Sequence, residues 1–555
     1  SSIRGMYSSS ESEIHFGLGE ENKIDSIEIF WPDQKKQVLY SPEVNKLHTI
    51  KYQPNTEIYN NDIQKTIFKD ISINDNAPKY SHKENFYNDY QKQILLPHKF
   101  SQSGPALTKG DVNGDGLEDF FIGGASSKAG ALFIQSIESS FIESKSAPWK
   151  KHKYSEDIDA TFIDSDSDGD LDLYVMSGGN EFEPQSQIYF DRLYINDGLG
   201  NFEFKKELLP DIFESGSVVI SSDYDGDGDI DLFVGTKLKP WHYPEPSSSY
   251  LLENKNGTYI IDSVNSSLFK NWGMVNDAVW SDIDNDLDED LIILGEWTSP
   301  TIYINENGVF NKKETPDLDK YKGWWFSINE ADIDNDGDMD LIAGNLGENF
   351  KYKASTEFPF EVHYGDFDLN GNNDVVLSYY NYGKQYPLRG FSCSSQQIPE
   401  LADKFEKFDV FASLDLKSVF GEQLDNGLNL KATDFSSLLF INNGSGSYTA
   451  KKLPYRAQLS SVNDVLTNDF NRDGITDILL IGNMHQVEIE TPRNDAGIGA
   501  LLLGTKNGEF EFSPLTKSGF FTPGDAKKMI EIKTHDGLFI LIANNNDILQ
   551  TFKLN

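Results

Sequence analysis

Short apolar runs rich in β-branched and aromatic side chains recur along most of the chain, each ended by turn residues: FFIGG, LYVMSGG, LFVGT, LIILGE, LIAGN, VVLSYY and ILLIGN. Their length and composition predict buried strands rather than helices. A further strand is expected after most of them, at ALFIQ (Ala131), RLYIND (Arg192), YLLEN (Tyr250), TIYIN (Thr301), SLLFINN (Ser437) and ALLLG (Ala500). A fourth often carries a lone Phe beside Asn-Gly or Gly-Asn, as at Phe202, Phe310 and Phe510.

One acidic nonapeptide precedes each of the seven runs. Its oxygen-bearing positions 1, 3, 5 and 9 are Asp111, Asn113, Asp115 and Asp119 in DVNGDGLED, and Asp164, Asp166, Asp168 and Asp172 in DSDSDGDLD. They are Asp223, Asp225, Asp227 and Asp231 in DYDGDGDID, and Asp282, Asp284, Asp286 and Asp290 in DIDNDLDED. The last three copies supply Asp332, Asp334, Asp336 and Asp340; Asp366, Asp368, Asn370 and Asp374; and Asp469, Asn471, Asp473 and Asp477. Position 6 is Gly in six copies and Leu287 in the fourth. A tight loop can turn oxygens at positions 1, 3 and 5 toward one point while Gly at position 6 permits the reversal. Carboxylates held so close repel one another unless a cation sits between them. An all-oxygen donor set without His or Cys suits Ca2+, up to seven ions, and argues against zinc or copper. The plainer reading is an acidic Asx-rich turn without metal. An EF-hand is excluded, because its bidentate Glu at position 12 is replaced by Ile122, Val175, Val234, Ile293, Ala343, Leu377 and Leu480.

Strand, loop, strand, strand, strand with no helical alternation predicts an all-β fold, a β-propeller. Successive loops start 53, 59, 59, 50, 34 and 103 residues apart. The first four intervals fit one blade each. The fifth is too short, so the fifth and sixth loops are expected to share a blade or to mark a truncated one. The sixth contains an insertion at about 391–434, in which Ile398, Leu401, Phe405 and Phe408 repeat as a helix face. A last blade without a loop is expected from MIEIK, LFILIAN and ILQTFKL, with IFKDIS at Ile67–Ser72 as its fourth strand. This gives seven blades, or eight if both short-interval loops head complete blades. Residues 1–60 form a separate β segment and 61–555 the propeller.

The loops account for the charge, 48 Lys and Arg against 89 Asp and Glu, or −41. So acidic a chain repels a phosphate backbone, and nucleic acid is excluded as a partner. The 37 Phe, 25 Tyr and 8 Trp argue for packed structure rather than a disordered polyanion. A single cysteine, Cys393, rules out an intrachain disulfide and Cys-rich metal sites. No apolar run is long enough for a transmembrane helix, and Ser1 opens no signal peptide.

Residues 1–55 differ from the rest: HFGLG at His15–Gly19 reads as a loop, and KIDSIEIFWPDQKKQVLY as two strands about Trp31-Pro32-Asp33. SSSESEIHFGLG and IEIFWPDQKK resemble the ASPIC/UnbV segment found in cartilage acidic protein, and the seven loops resemble FG-GAP or VCBS-type calcium-binding propeller repeats. That resemblance implies an extracellular or cell-surface protein, often a Bacteroidota lipoprotein. It also implies anchoring in the outer membrane through an upstream lipid-bearing cysteine, and a place in an outer-membrane complex. It further implies that the carbonyl of position 7 joins the ligands at positions 1, 3, 5 and 9. Under it, the chain looks like the C-terminal half of a longer protein.

Signatures of catalysis are thin. The nine His are scattered, and HExxH, GxSxG and P-loop patterns are absent. The Gly482–Gly499 loop, with His485, Glu488, Glu490, Arg493 and Asp495, is a candidate surface or a structural tie. Trp241, Trp272, Trp297, Trp324 and Trp325 either stack on sugars or fill the core. NNGS and KNGT read as turns rather than glycosylation sites. Two functional classes remain. The first is a non-catalytic surface binding or scaffold protein that presents loops to a protein or glycan. The second is a secreted carbohydrate-active enzyme, a lyase or glycosidase, with its site in the propeller funnel.

Overall fold

A computed structural model describes residues 3–5, 8–9, 14–31, 35–53, 65–444 and 446–555. The chain forms two compact units, Ser1–Lys65 and Thr66–Asn555. In the first, Ser26–Phe30 pairs antiparallel with Lys36–Tyr40, and the Trp31 indole N–H donates to Gln37 Oε1 at 3.1 Å. The expected turn at Pro32-Asp33, residues 10–13 of the SSSESE stretch, and Ser445 of the NNGS turn lie outside the described residues.

The second unit is a β-propeller. Seven antiparallel sheets, each of four strands in order and the fourth with a short extra strand Gly323–Trp324, have their first strands at Leu107–Gly110, Glu156–Ile163, Ser215–Ser222, Met274–Ser281, Ser327–Ala331, Val462–Asn468 and Ala526–Thr534. Each of these strands packs beside the next, and the last packs beside the first, so they line a closed ring. Second strands such as Asp172–Gly178 are buried along their whole length, because each sheet has a neighbour on both faces. That is why they read as continuous apolar runs rather than as alternating ones. Seven apolar clusters fill the seven gaps between sheets. Each fully buried Leu, Ile or Phe in them contributes about 1.5–3 kcal/mol.

Ring closure joins the two ends of the unit. The seventh sheet runs Ala526–Thr534, Gly537–Asn544, Gln550–Leu554 and then Phe68–Asp70, the strand supplied by IFKDIS. Inner-strand Asp side chains tie neighbouring sheets, second to third, fourth to fifth and sixth to seventh: Asp159, Asp277 and Asp464 accept the N–H groups of Val219, Ile328 and Met529 at 3.1, 2.9 and 2.6 Å.

The fifth sheet departs from expectation. The fifth and sixth loops do not share it, nor is it truncated. Its second strand, Asp340–Gly344, pairs with Leu438–Asn442, and residues 345–437 intervene. Within this insertion, Lys384–Pro387, Asp374–Asn381, Phe360–Gly365 and Leu428–Ala432 form an additional sheet outside the ring, which carries the sixth loop. The expected helix face is several short helices, Phe391–Gln397, Glu400–Lys404, Phe408–Ser413 and Leu416–Phe420. Ile398, Leu401 and Phe405 pack against Phe367 with Phe411 and Val419, whereas Phe408 is exposed. The helix Glu400–Lys404 ends at an extended Phe405, and Phe408 opens the next helix after an extended Lys407, which is where the periodicity breaks.

Antiparallel strands fix the two faces of the ring. Connections from first to second strands, which hold the acidic loops, lie on one face. Connections from second to third and from fourth to first lie on the other. The second face therefore carries every long segment: residues 71–106, 345–437 and 483–499.

Candidate metal loops and the latches between them

All seven loops share one backbone. Position 4 is left-handed throughout, at Gly114, Ser167, Gly226, Asn285, Asn335, Leu369 and Arg472, and so is position 6. One carboxylate oxygen of position 1 accepts the N–H of position 6 in every copy, at 2.8–3.1 Å. Leu287, with φ of 78° and its side chain exposed, takes the same turn that Gly takes elsewhere. A left-handed Leu costs roughly 1–2 kcal/mol, of which the looser unfolded state of Gly returns part. Leu287→Gly is therefore expected to stabilise the protein by about 0.5–1 kcal/mol in calcium-containing buffer, read by chemical denaturation. A loss of stability would show that Leu287 is bound by contacts the loop needs.

Carboxylate oxygens converge within 4.8 Å in five loops: Asp164, Asp166 and Asp168; Asp223, Asp225 and Asp231; Asp282, Asp284 and Asp290; Asp332, Asp334 and Asp336; Asp366, Asp368 and Asp374. In the third loop Asp223 Oδ1 and Asp231 Oδ2 are buried without a hydrogen-bond partner. Two orphaned oxygens beside a third carboxylate fit a cation, and the donor set is all oxygen. In the first and seventh loops position 3 is an amide that faces position 5: Asn113 Nδ2 lies 3.2 Å from Asp115 Oδ2, and Asn471 Nδ2 2.9 Å from Asp473 Oδ2. These acidic clusters can hold metal ions.

Position 9 has a second task. It opens the second strand of its sheet, and one of its oxygens accepts the N–H of position 2 at 3.0–3.2 Å in six loops. In the six ring loops the other oxygen accepts an N–H at the end of the third strand, from Gln135, Asn196, Asn254, Asn305, Asn442 or Gly504, at 2.7–2.9 Å. Asp374, outside the ring, accepts only from Phe367. Burial, aided by neighbouring loop carboxylates, pushes Asp119, Asp231 and Asp374 up to about 7 and Asp172, Asp290, Asp340 and Asp477 up to about 6.

Sequence reasoning assigned no role to the Asn that ends several third strands, yet it couples one loop to the next. Asn196 Nδ2 donates to Leu171 O in its own loop at 3.0 Å and to Val112 O in the preceding loop at 2.7 Å. Asn254 bridges Ile230 O and Ser165 O, and Asn305 bridges Glu289 O and Tyr224 O, in the same way. All three are buried. Position 4 reaches the following loop as well: Ser167 Oγ donates to Asp229 Oδ1 at 3.1 Å, and Asn285 Nδ2 to Asp338 Oδ1 at 2.9 Å. The recurrence of Asn in RLYIN, YLLEN and TIYIN is the signal that could have revealed the latch.

The other candidates resolve toward structure. Trp297, Trp324 and Trp325 are buried core residues, Trp272 packs against one of the inter-sheet clusters, and the Trp241 ring is covered by Lys92 Nζ at 3.7 Å from its centroid. In the Gly482–Gly499 loop, Arg493 is exposed, and the tie is instead Glu488 to Arg389 at 2.5 Å. Among the described residues no helix is long and apolar enough to cross a membrane.

Residues 1–57 match the family model ASPIC and UnbV, and residues 164–234 and 282–343 match the FG-GAP-like repeat, spanning the second to fifth loops. The chain carries an ASPIC and UnbV segment ahead of FG-GAP-like repeats. No match was found among curated proteins. Similar solved structures include the Vibrio cholerae biofilm matrix protein Bap1, at 10% identity and TM-score 0.33, covering 86% of this chain and 91% of that one. YCF48 from Cyanidioschyzon merolae is similar at 9% identity and TM-score 0.37, over 83% of this chain and 98% of that one. Saccharomyces cerevisiae Sqt1 is similar at 10% identity and TM-score 0.38, over 86% of this chain and all of that one.

Proposed function

We propose that this protein is a calcium-clamped, non-catalytic propeller that works outside the cell and presents its long-segment face to a protein or glycan partner. The observation that carries the reading is the division of labour between the two faces. On one, the loop carboxylates are committed to turn N–H groups, to third strands and to prospective ions, so they are not available as general acids or bases. On the other, long segments hold Phe86, Ile489 and Phe408 exposed without any need of strand connection. The resemblance of the loops to calcium-binding propeller repeats supports placement outside the cell, where calcium is plentiful.

A photo-crosslinking residue at Ile489, with one at Leu287 on the opposite face as control, tests the reading on intact cells supplied with calcium. A discrete adduct from position 489 that chelation abolishes is expected, with none from 287. Calcium-dependent cleavage of a polysaccharide by the purified protein, with defined products, would instead make it the carbohydrate-active enzyme that the sequence left open.

A further inference from the structure

A cavity of about 110 Å³ lies where the inner strands converge, lined by Ile158, Ser217, Asn276, Asn463 and Lys528 from five different sheets. Two long-face segments border it and are stitched together, with Lys99 N–H donating to Gln486 O at 2.8 Å and His98 bridged to Val487. That is several times the roughly 10–15 Å³ one water needs, enough for a small oxyanion with water.

The charge of its wall is the reverse of the chain's. His98, Lys99, Lys237, Lys527 and Lys528 line it, and among the described residues no carboxylate does, in a protein with 89 acids and 48 bases. The acids paired with these bases are not among the residues that line the cavity. Glu296, fully buried, is 3.5 Å from both Lys237 Nζ and His98 Nε2. Asp525 is 2.8 Å from Lys527 Nζ, and Asp159 is 3.5 Å from Lys528 Nζ, with Asp277 and Asp464 also facing that lysine. Lys99 has only the carbonyl of Tyr87, at 3.4 Å. His98, 4% exposed, has Nδ1 3.0 Å from the carbonyl of Lys99 and Nε2 3.5 Å from Glu296, so both of its ring nitrogens are engaged by the wall rather than by the cavity. The lysines line the cavity and their carboxylate partners do not, so ammonium N–H groups not used by those partners can donate to a bound anion. Burial also disfavours the charged form of Lys237, an effect that an anion beside it would oppose.

We propose that the axial cavity binds one small oxyanion group, a carboxylate or a sulfate, through Lys237 and Lys527, with Lys99 alongside. The group is a free ion or the acidic substituent of a glycan, and the two sources share one chemistry. The site does not depend on the long face having a protein partner.

The calcium-loaded full chain would be titrated calorimetrically with sodium sulfate and sodium acetate, against sodium chloride at equal low ionic strength. A sulfated oligosaccharide forms the second arm. Saturable one-to-one binding is expected, weakened about tenfold or more by Lys237→Gln and a few-fold by Lys99→Gln. Lys237→Gln leaves Glu296 with His98 alone; if its melting temperature falls, Lys99→Gln, which strands no carboxylate, carries the test. Binding of the free ions that both variants weaken supports the site with a free ion as ligand. Binding of the oligosaccharide alone, weakened by the same variants, supports the site with the glycan as source. Absence of saturable binding for all three probes, or binding that neither variant weakens, would overturn it.

Discussion

Exhaustive chelation is expected to lower the melting temperature by about 10–20 °C relative to millimolar calcium, the largest single change of conditions this protein should report. An ion that binds only the folded state adds RT ln(1 + [Ca]/Kd), about 2.7 kcal/mol per site at a hundredfold excess over Kd. Several such sites rival a typical net stability of about 5–15 kcal/mol. The latches amplify the effect, because Asn196, Asn254 and Asn305 each join a loop to its neighbour, so a loop that loosens withdraws support from the next. The sixth loop stands outside this chain of contacts and has Asn370 and Asn372 in place of Asp, so it should empty first. Calorimetry across a chelator series, with calcium counted by mass spectrometry, checks both points. An unchanged melting temperature after the metal is gone would sink the clamp.

The pH dependence should differ with and without metal. The seven position-9 carboxylates are raised by burial to about 6–7, so the folded state holds protons the unfolded chain has already released. Their contribution is complete below the ordinary carboxylate range and is lost as pH rises through about 7. In chelator, stability should therefore fall between about pH 4 and 7. Calcium competes with those protons, so the gain it confers should grow over the same window. A calcium effect independent of pH would mean that position 9 is not among the ligands.

Most of the ring was legible because two periodic signals agree in it: an oxygen every second residue in the loop, then an apolar run. Where they separate, sequence reasoning fails. Asp366–Asp374 has a complete loop and the strand VVLSYY, but its sheet stands outside the ring, and nothing local distinguishes a second strand in the ring from one beside it. The true third strand of the fifth sheet, Leu438–Asn442, follows 93 intervening residues, 345–437. Pairing across that distance is a tertiary fact. The axial cavity was equally hidden, since His98, Lys237 and Lys527 come from three remote segments and converge only after closure. The left-handed turn at Leu287 shows the opposite: six glycines predicted a conformation that the seventh residue adopts despite its side chain.

Deleting Ala543–Asn555 should abolish the cooperative melt of the propeller, whereas removing residues 1–57 should leave it intact. The strand Gln550–Leu554 is the inner of two bonds that hold the ring shut: it pairs with Gly537–Asn544 on one side and with Phe68–Asp70 on the other. Without it, Phe68 has no sheet to join. Leu549, Phe552 and Ala543, all buried, are lost from the clusters on both flanks of the seventh sheet. Truncating a buried Phe alone costs about 3–5 kcal/mol, so loss of the whole strand exceeds the stability of most domains before the opened edges are considered. Those edges, rich in apolar strand, favour aggregation. The N-terminal segment, by contrast, is a compact unit of its own, with its own hairpin. Scanning calorimetry of both truncations in calcium decides it, and a sharp native melt surviving the C-terminal deletion would show that the ring is held by something other than this strand.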